Sequence, residues 1–337
     1  MANSIEKGSH DSLKELDAKE EAIDRALTQK IDWNLLPILT LLYLLSFLDR
    51  SNVGNAKVDG LATQINLQGA EYNTGLALYF VGYVLFEIPA NIVLKRTSPR
   101  TWLPTITLIW GVISVCQGLV TDKAGFYAVR FFLGVTEAGL FPGVIYVFSM
   151  YYTRTQRSIR VSFFFSGSAL AGAFGGVLAY LLGLINGGGK PGWAWIFIVE
   201  GLITIVVSFI AYFLVPSWPQ HASFLTESER ERLINRLRRD TDAADLEPFN
   251  WKGVGQALTD PLSITTPTAG SQYFGTFVIV GGVYTANAML LSWPGENVSA
   301  QTKRAVVLAL QITLGDVGAI TGTTIFFLQN RLLLKKQ

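Results

Sequence analysis

Apolar stretches of about twenty residues recur along this chain, and nothing else in it narrows the fold so far. A helix rises 1.5 Å per residue, so about twenty apolar residues cross the ~30 Å hydrocarbon of a bilayer with every backbone polar group paired inside the helix. Six such stretches fill the first two thirds of the chain, at residues 33–53, 76–94, 102–120, 126–151, 161–185 and 195–215. Two more close it, at 273–293 and 306–328. Half of the 337 residues are hydrophobic, only 15% are charged, and the mean hydropathy is +0.35. Soluble domains carry about a quarter charged residues. The expectation is an all-α, multi-pass membrane protein with about eight transmembrane helices.

Charge in the connectors orients these helices. Lys95, Arg96 and Arg100 follow the second stretch, and Arg154, Arg157 and Arg160 follow the fourth, whereas the intervening connectors are weakly charged or glycine-rich. The positive-inside rule then puts both ends of a six-helix block, 31–215, in the cytoplasm. Residues 1–30 read as a cytoplasmic tail without a signal peptide, in which Ser12 and Glu15 form a capping box opening a short polar helix. Pro37 then falls in the first turn of the first membrane helix. Residues 216–270 read as a cytoplasmic linker. In it Thr226 and Glu229 form another capping box, and Leu233, Ile234 and Leu237 give a narrow apolar stripe that would lie against the bundle.

The tail, 271–337, echoes the fourth and fifth helices. Arg157 precedes Gly167, Gly172 and Gly175 by ten, fifteen and eighteen residues, and Arg304 precedes Gly315, Gly318 and Gly322 by eleven, fourteen and eighteen. The alternative is chance similarity between helices rich in small residues, which recur wherever membrane helices pack closely. If the tail is a diverged copy, a second six-helix half is represented only by its fourth and fifth members. The stretch LSITTPTAG then marks a join rather than a loop.

Several function classes fall away. A net charge of +2, spread over short connectors, does not make a nucleic-acid surface, and acidic residues interleave with Arg236, Arg238 and Arg239. Cys116 is the single cysteine and reads as a small core residue, so neither an intrachain disulfide nor a thiolate metal site is expected. His10 and His221 lie in polar segments, and no phosphate-binding glycine loop or zinc spacing is present. No enzyme, cofactor or metal is expected.

What remains is charge inside the membrane. Asp49 and Arg50 end the apolar run of the first helix, and Arg130 and Glu137, seven residues apart, share one face of the fourth. Gly139 and Gly143 form a GxxxG patch beside them, and Pro142 invites a kink there. Arg130 begins its segment, so snorkelling to the membrane edge is an alternative for it. Glu87 is a further candidate, although pairing with Lys95 or Arg96 would make it structural. A buried carboxylate can load and release a proton, whereas arginine keeps its charge and offers a planar donor fork to an anion. Asp49 and Glu137 are therefore the proton-coupling candidates, and Arg50 and Arg130 the substrate-binding ones. The alternative is a set of struts that only neutralise one another.

The segments YLLSFLDRSNVGNAKVDGL, FEIPANIVLKR, RFFLGVTEAGLFPGV and YYTRTQRSIR resemble the fungal anion:cation symporters of the major facilitator superfamily, the group of allantoate, nicotinate and pantothenate permeases. The resemblance covers residues 31–261 and 273–328, where YFGTF, TKRA and ALQITLGDVG are similar to the tenth and eleventh helices. It implies twelve helices in two halves, with substrate held midway and carboxylates of the first and fourth helices handling protons. Asp49, Arg50, Arg130 and Glu137 occupy the matching positions. Gln311 and Asp316 are additional candidates, and Asp316 departs from the family's usual Asn.

The fold expected is thus a major facilitator fold with a complete N-terminal six-helix bundle and an incomplete C-terminal half, lacking helices seven to nine and twelve. The loss of three helices before the tail reverses its entry, putting Lys303 and Arg304 outside and exposing the sequon Asn297, Val298, Ser299 to the lumen; the alternative is that the segment fails to insert. The function implied is proton-coupled symport of a small organic anion, a carboxylate or vitamin-like compound, at a site that has lost much of one wall. Its alternative is a non-transporting protein that forms homo- or hetero-oligomers with a full-length relative or regulates one. The plasma membrane is the location expected of the family, and retention in the endoplasmic reticulum that of a shortened form.

Overall fold

The computed structural model describes residues 2–68, 71–185, 187–240 and 251. The tail 271–337, with Asn297, Gln311, Asp316 and the last two apolar stretches, lies outside the described residues. The elements are α1 (Ala2–Val58), α2 (Leu61–Gln64), α3 (Glu71–Arg96), α4 (Pro99–Gln117), α5 (Lys123–Glu137), α6 (Leu140–Tyr151), α7 (Arg154–Gly183), α8 (Gly192–Leu214), a 3-10 turn at Pro219–His221 and α9 (Glu227–Asp240). No strand forms among the described residues.

Among the described residues five spans are long and apolar enough to cross a membrane by composition, with α5 and α6 counting together as Lys123–Tyr151. The sixth expected crossing, α4, has the length but not the hydropathy. Its Thr107, Ser114 and Gln117 are buried, so its polar residues face the bundle interior instead of lipid.

Three other expectations need correcting. The backbone runs helical without a break through Ser12, so no cap opens a helix there and Pro37 becomes an interior residue of α1. Proline lacks an N–H, and α1 gives up one hydrogen bond, to the Trp33 carbonyl. Residues 126–151 form two helices, interrupted at Ala138 and Gly139. Pro142 accounts for this, because its ring collides with the carbonyl four residues earlier, that of Ala138. Cys116 is exposed on the outer face of α4, not in the core.

The bundle is built from three helix pairs: α1 with α7, α3 with α5, and α4 with α8. Small residues let these backbones meet. A Cβ on Gly134 would lie 1.9 Å from the Tyr79 carbonyl oxygen, and one on Gly82 2.3 Å from that of Phe131, so α3 and α5 run parallel in direct backbone contact. Gly111 and Gly201 do the same for α4 and α8, which run antiparallel. Tyr43 stacks on Phe164 with ring centres 4.4 Å apart, closing α1 on α7.

The capping box of α9 is reciprocal: the Glu229 carboxylate accepts from the Thr226 N–H at 2.8 Å, and the Thr226 hydroxyl accepts from the Glu229 N–H at 3.4 Å. Leu233 and Leu237 are buried against the bundle, as the apolar stripe requires. Ion pairs fasten the helix to α1, through Lys30 and Glu229 at 2.7 Å and through Arg232 and Asp24.

Candidate functional site

Polar side chains of four helices converge inside the bundle. Glu137 is the last residue of α5, just before the break that Pro142 imposes, and is 1% exposed. Three donors surround it: the Ser46 hydroxyl of α1, the Tyr79 hydroxyl of α3, and Arg50 Nη2 at 3.2 Å. This ion pair joins α1 to α5 across the bundle. The Arg50 side chain keeps 34% of its surface exposed, so the pair is buried at the carboxylate and partly exposed along the arginine.

Arg130 lies two turns before Glu137 on the same face of α5, and both meet Tyr79. Its guanidinium stands 4.7 Å from the centre of the Tyr79 ring whose hydroxyl serves Glu137. At 2% exposure it is buried, which excludes snorkelling. Its Nε and Nη1 reach no acceptor among the described residues. Arg50 sits 5.5 Å from the same ring and from that of Tyr83, so aromatic faces partner both guanidiniums.

Asp49 turns the other way from its neighbour. Its carboxylate accepts from the Trp110 indole N–H and from the Ser114 hydroxyl at 3.0 Å, both on α4. Among the described residues no cation lies at salt-bridge distance from it. It shares the electrostatic field of Arg130 and Glu137 without touching either. Adjacent residues on a helix point about 100° apart, which is why the acid and the base serve different helices. Glu87 is buried on α3, eight residues beyond Tyr79, or about 12 Å along the axis.

The sequence reading missed Ser46, Tyr79, Trp110 and Ser114, whose types are ordinary in membrane helices and whose role exists only across helix contacts. It also missed Glu200 of α8, which is buried beside Asn52 of α1. That omission was avoidable, since Glu200 stands in an apolar run just as Glu137 does.

Comparison with known proteins gives the constellation its context. Residues 39–333 match the Major Facilitator Superfamily. The chain is 37% identical over 241 residues to the major facilitator-type transporter hxnP of Emericella nidulans, covering 70% of this chain and 49% of that protein. It is 35% identical over 218 residues to the putative metabolite transport protein NicT of Pseudomonas putida, covering 64% and 50%. The chain thus spans about half the length of the curated relatives it matches. Among solved structures, a bacterial homolog of the human lysosomal transporter Spinster aligns with a TM-score of 0.56 at 17% identity, over 89% of this chain and 83% of that one. The proton:xylose symporter XylE aligns with a TM-score of 0.54 at 14% identity, over 90% and 89%. These two likenesses concern the fold alone. With a family match over most of its length and the same helical architecture, this chain is an integral, multi-pass membrane protein that belongs to the Major Facilitator Superfamily.

Proposed function

We propose that the protein carries a small organic anion across the membrane together with a proton, Arg50 and Arg130 supplying positive charge for the anion and Asp49 and Glu137 binding the proton. The observation that supports this best is the ion pair of Glu137 with Arg50, buried at the carboxylate and partly exposed along the arginine side chain. Protonation of Glu137 removes the countercharge of Arg50 and frees its donor fork for a carboxylate. Anion and proton then bind as a neutral sum, which is the cheapest load to carry through a low-dielectric interior. Arg130, behind Tyr79, contributes through its field.

Uptake of a labelled monocarboxylate into cells producing the chain tests this. Acidifying the outside should raise uptake. Glu137→Gln or Arg50→Ala should lower it at least about tenfold, the first by removing the proton-binding carboxylate and the second by removing the cation that receives the anion. No uptake from a correctly inserted wild-type chain would overturn the transport reading. A second reading is a non-transporting protein that associates with a full-length relative, and co-purification without uptake would select it. The plasma membrane is the location we assign, against retention in the endoplasmic reticulum, and a fluorescent fusion distinguishes them.

A further inference from the structure

Glu200 has no part in the scheme above, and its surroundings are unusual for a carboxylate. It lies on α8, 3% exposed. One oxygen accepts from the Asn52 side-chain amide of α1, and the other is buried and accepts from no group among the described residues. No cation stands at salt-bridge distance from it among those residues. Among the described residues the charged group whose field reaches it is Asp49 of α1, another acid. Asn52 lies three residues after Asp49, so the amide that Glu200 accepts from is carried about one helical turn along α1 from Asp49.

Charge counting around Asp49 sharpens this. Asp49, Glu137 and Glu200 are three acids, and Arg50 and Arg130 are two bases that cannot lose their protons. Leaving aside Glu87 and Arg157, which are also buried and lie nearer the basic connectors, these five groups hold one uncompensated negative charge when all three acids are ionised, which a water-poor medium does not tolerate. One proton restores neutrality, and the donors indicate where it rests. Glu137 has a guanidinium and two hydroxyls, and Asp49 has an indole N–H and a hydroxyl. Glu200 has a single amide.

We propose that Glu200 is a second proton-binding site, occupied at neutral pH and held by Asn52 about one helical turn along α1 from Asp49. Its use in coupling rests on the transport reading. As a reserve it passes its proton to Asp49: one O–H bond breaks on Glu200, another forms on Asp49, and the interior charge is unchanged.

The occupied site is testable without substrate. Infrared spectra of the purified chain in lipid nanodiscs at neutral pH should show a protonated-carboxyl C=O band that Glu200→Gln removes and Glu200→Asp shifts. Glutamine matches the neutral acid in shape, so Glu200→Gln should also unfold thermally at or above the wild-type temperature. A band untouched by Glu200→Gln, or absent from the wild type, would overturn the proposal, and Glu200→Asp decides if the glutamine variant does not fold. Uptake measured in parallel separates the two ideas: the band without uptake removes the transport reading and keeps the proton site, and uptake without the band does the reverse.

Discussion

Tyr79 is the residue on which the site turns, because its hydroxyl serves Glu137 while its ring serves two guanidiniums. These roles separate by substitution. Tyr79→Phe keeps the ring and loses one hydrogen bond to a buried carboxylate, and should destabilise the protein by about 1.5–3 kcal/mol. Tyr79→Ala also opens a cavity under Arg130 and should cost roughly 3–5 kcal/mol. Thermal unfolding of the two purified variants checks the order, and equal losses would show that the ring contacts contribute nothing. Gly134 is equally constrained by position. Any side chain there meets the Tyr79 carbonyl, so Gly134→Ala should cost about 1–3 kcal/mol by forcing α3 away from α5. The charges of this site were legible as charges in apolar runs, but their partners were not. Arg50 and Glu137 are 87 residues apart in sequence, and no local pattern records that they meet.

Among the elements, α9 was the most legible, because its cap and its apolar stripe are local. Its fastening to α1 makes a pH prediction. The hydrogen bond from Lys30, and then the Thr226 N–H, hold the Glu229 carboxyl below its ordinary value of 4.5. A depressed carboxyl stabilises the fold fully above that ordinary value, and the contribution fades as pH falls through the lowered one. Lys30 keeps 38% and Glu229 30% of its side-chain surface exposed, so solvent screens the pair and the effect should stay below about 1 kcal/mol. Wild type should therefore melt slightly above Glu229→Gln at neutral pH, with the gap closing in acid below the ordinary carboxylate range. A gap independent of pH would show that Glu229 acts through its cap geometry alone. The division of residues 126–151 at Ala138 was half legible: Pro142 announced a bend, and only the backbone located it.

For the whole molecule, the alternation of helices makes sidedness the property to test. In a Cys116→Ser background, single cysteines at Gly60, Thr121 and Gly188 should react with a membrane-impermeant maleimide from one side. Those at Thr97, Thr153 and Glu227 should react from the other, the side of the basic connectors. Labelling of Thr121 and Thr153 from the same side would show that α5 and α6 do not cross. The sequence by itself determined that this chain lives in a membrane, where its long apolar helices run, and that Asp49, Arg130 and Glu137 set charge inside them. Those facts follow from helix length, hydropathy and the cost of charge in hydrocarbon, all of them local. The tertiary structure alone decided that Arg50 pairs with Glu137 and not with Asp49, that Tyr79 stands between two guanidiniums, and that Glu200 has one amide for company. Those depend on which faces of helices distant in sequence are pressed together, and it is glycines such as Gly82 and Gly134 that let them approach.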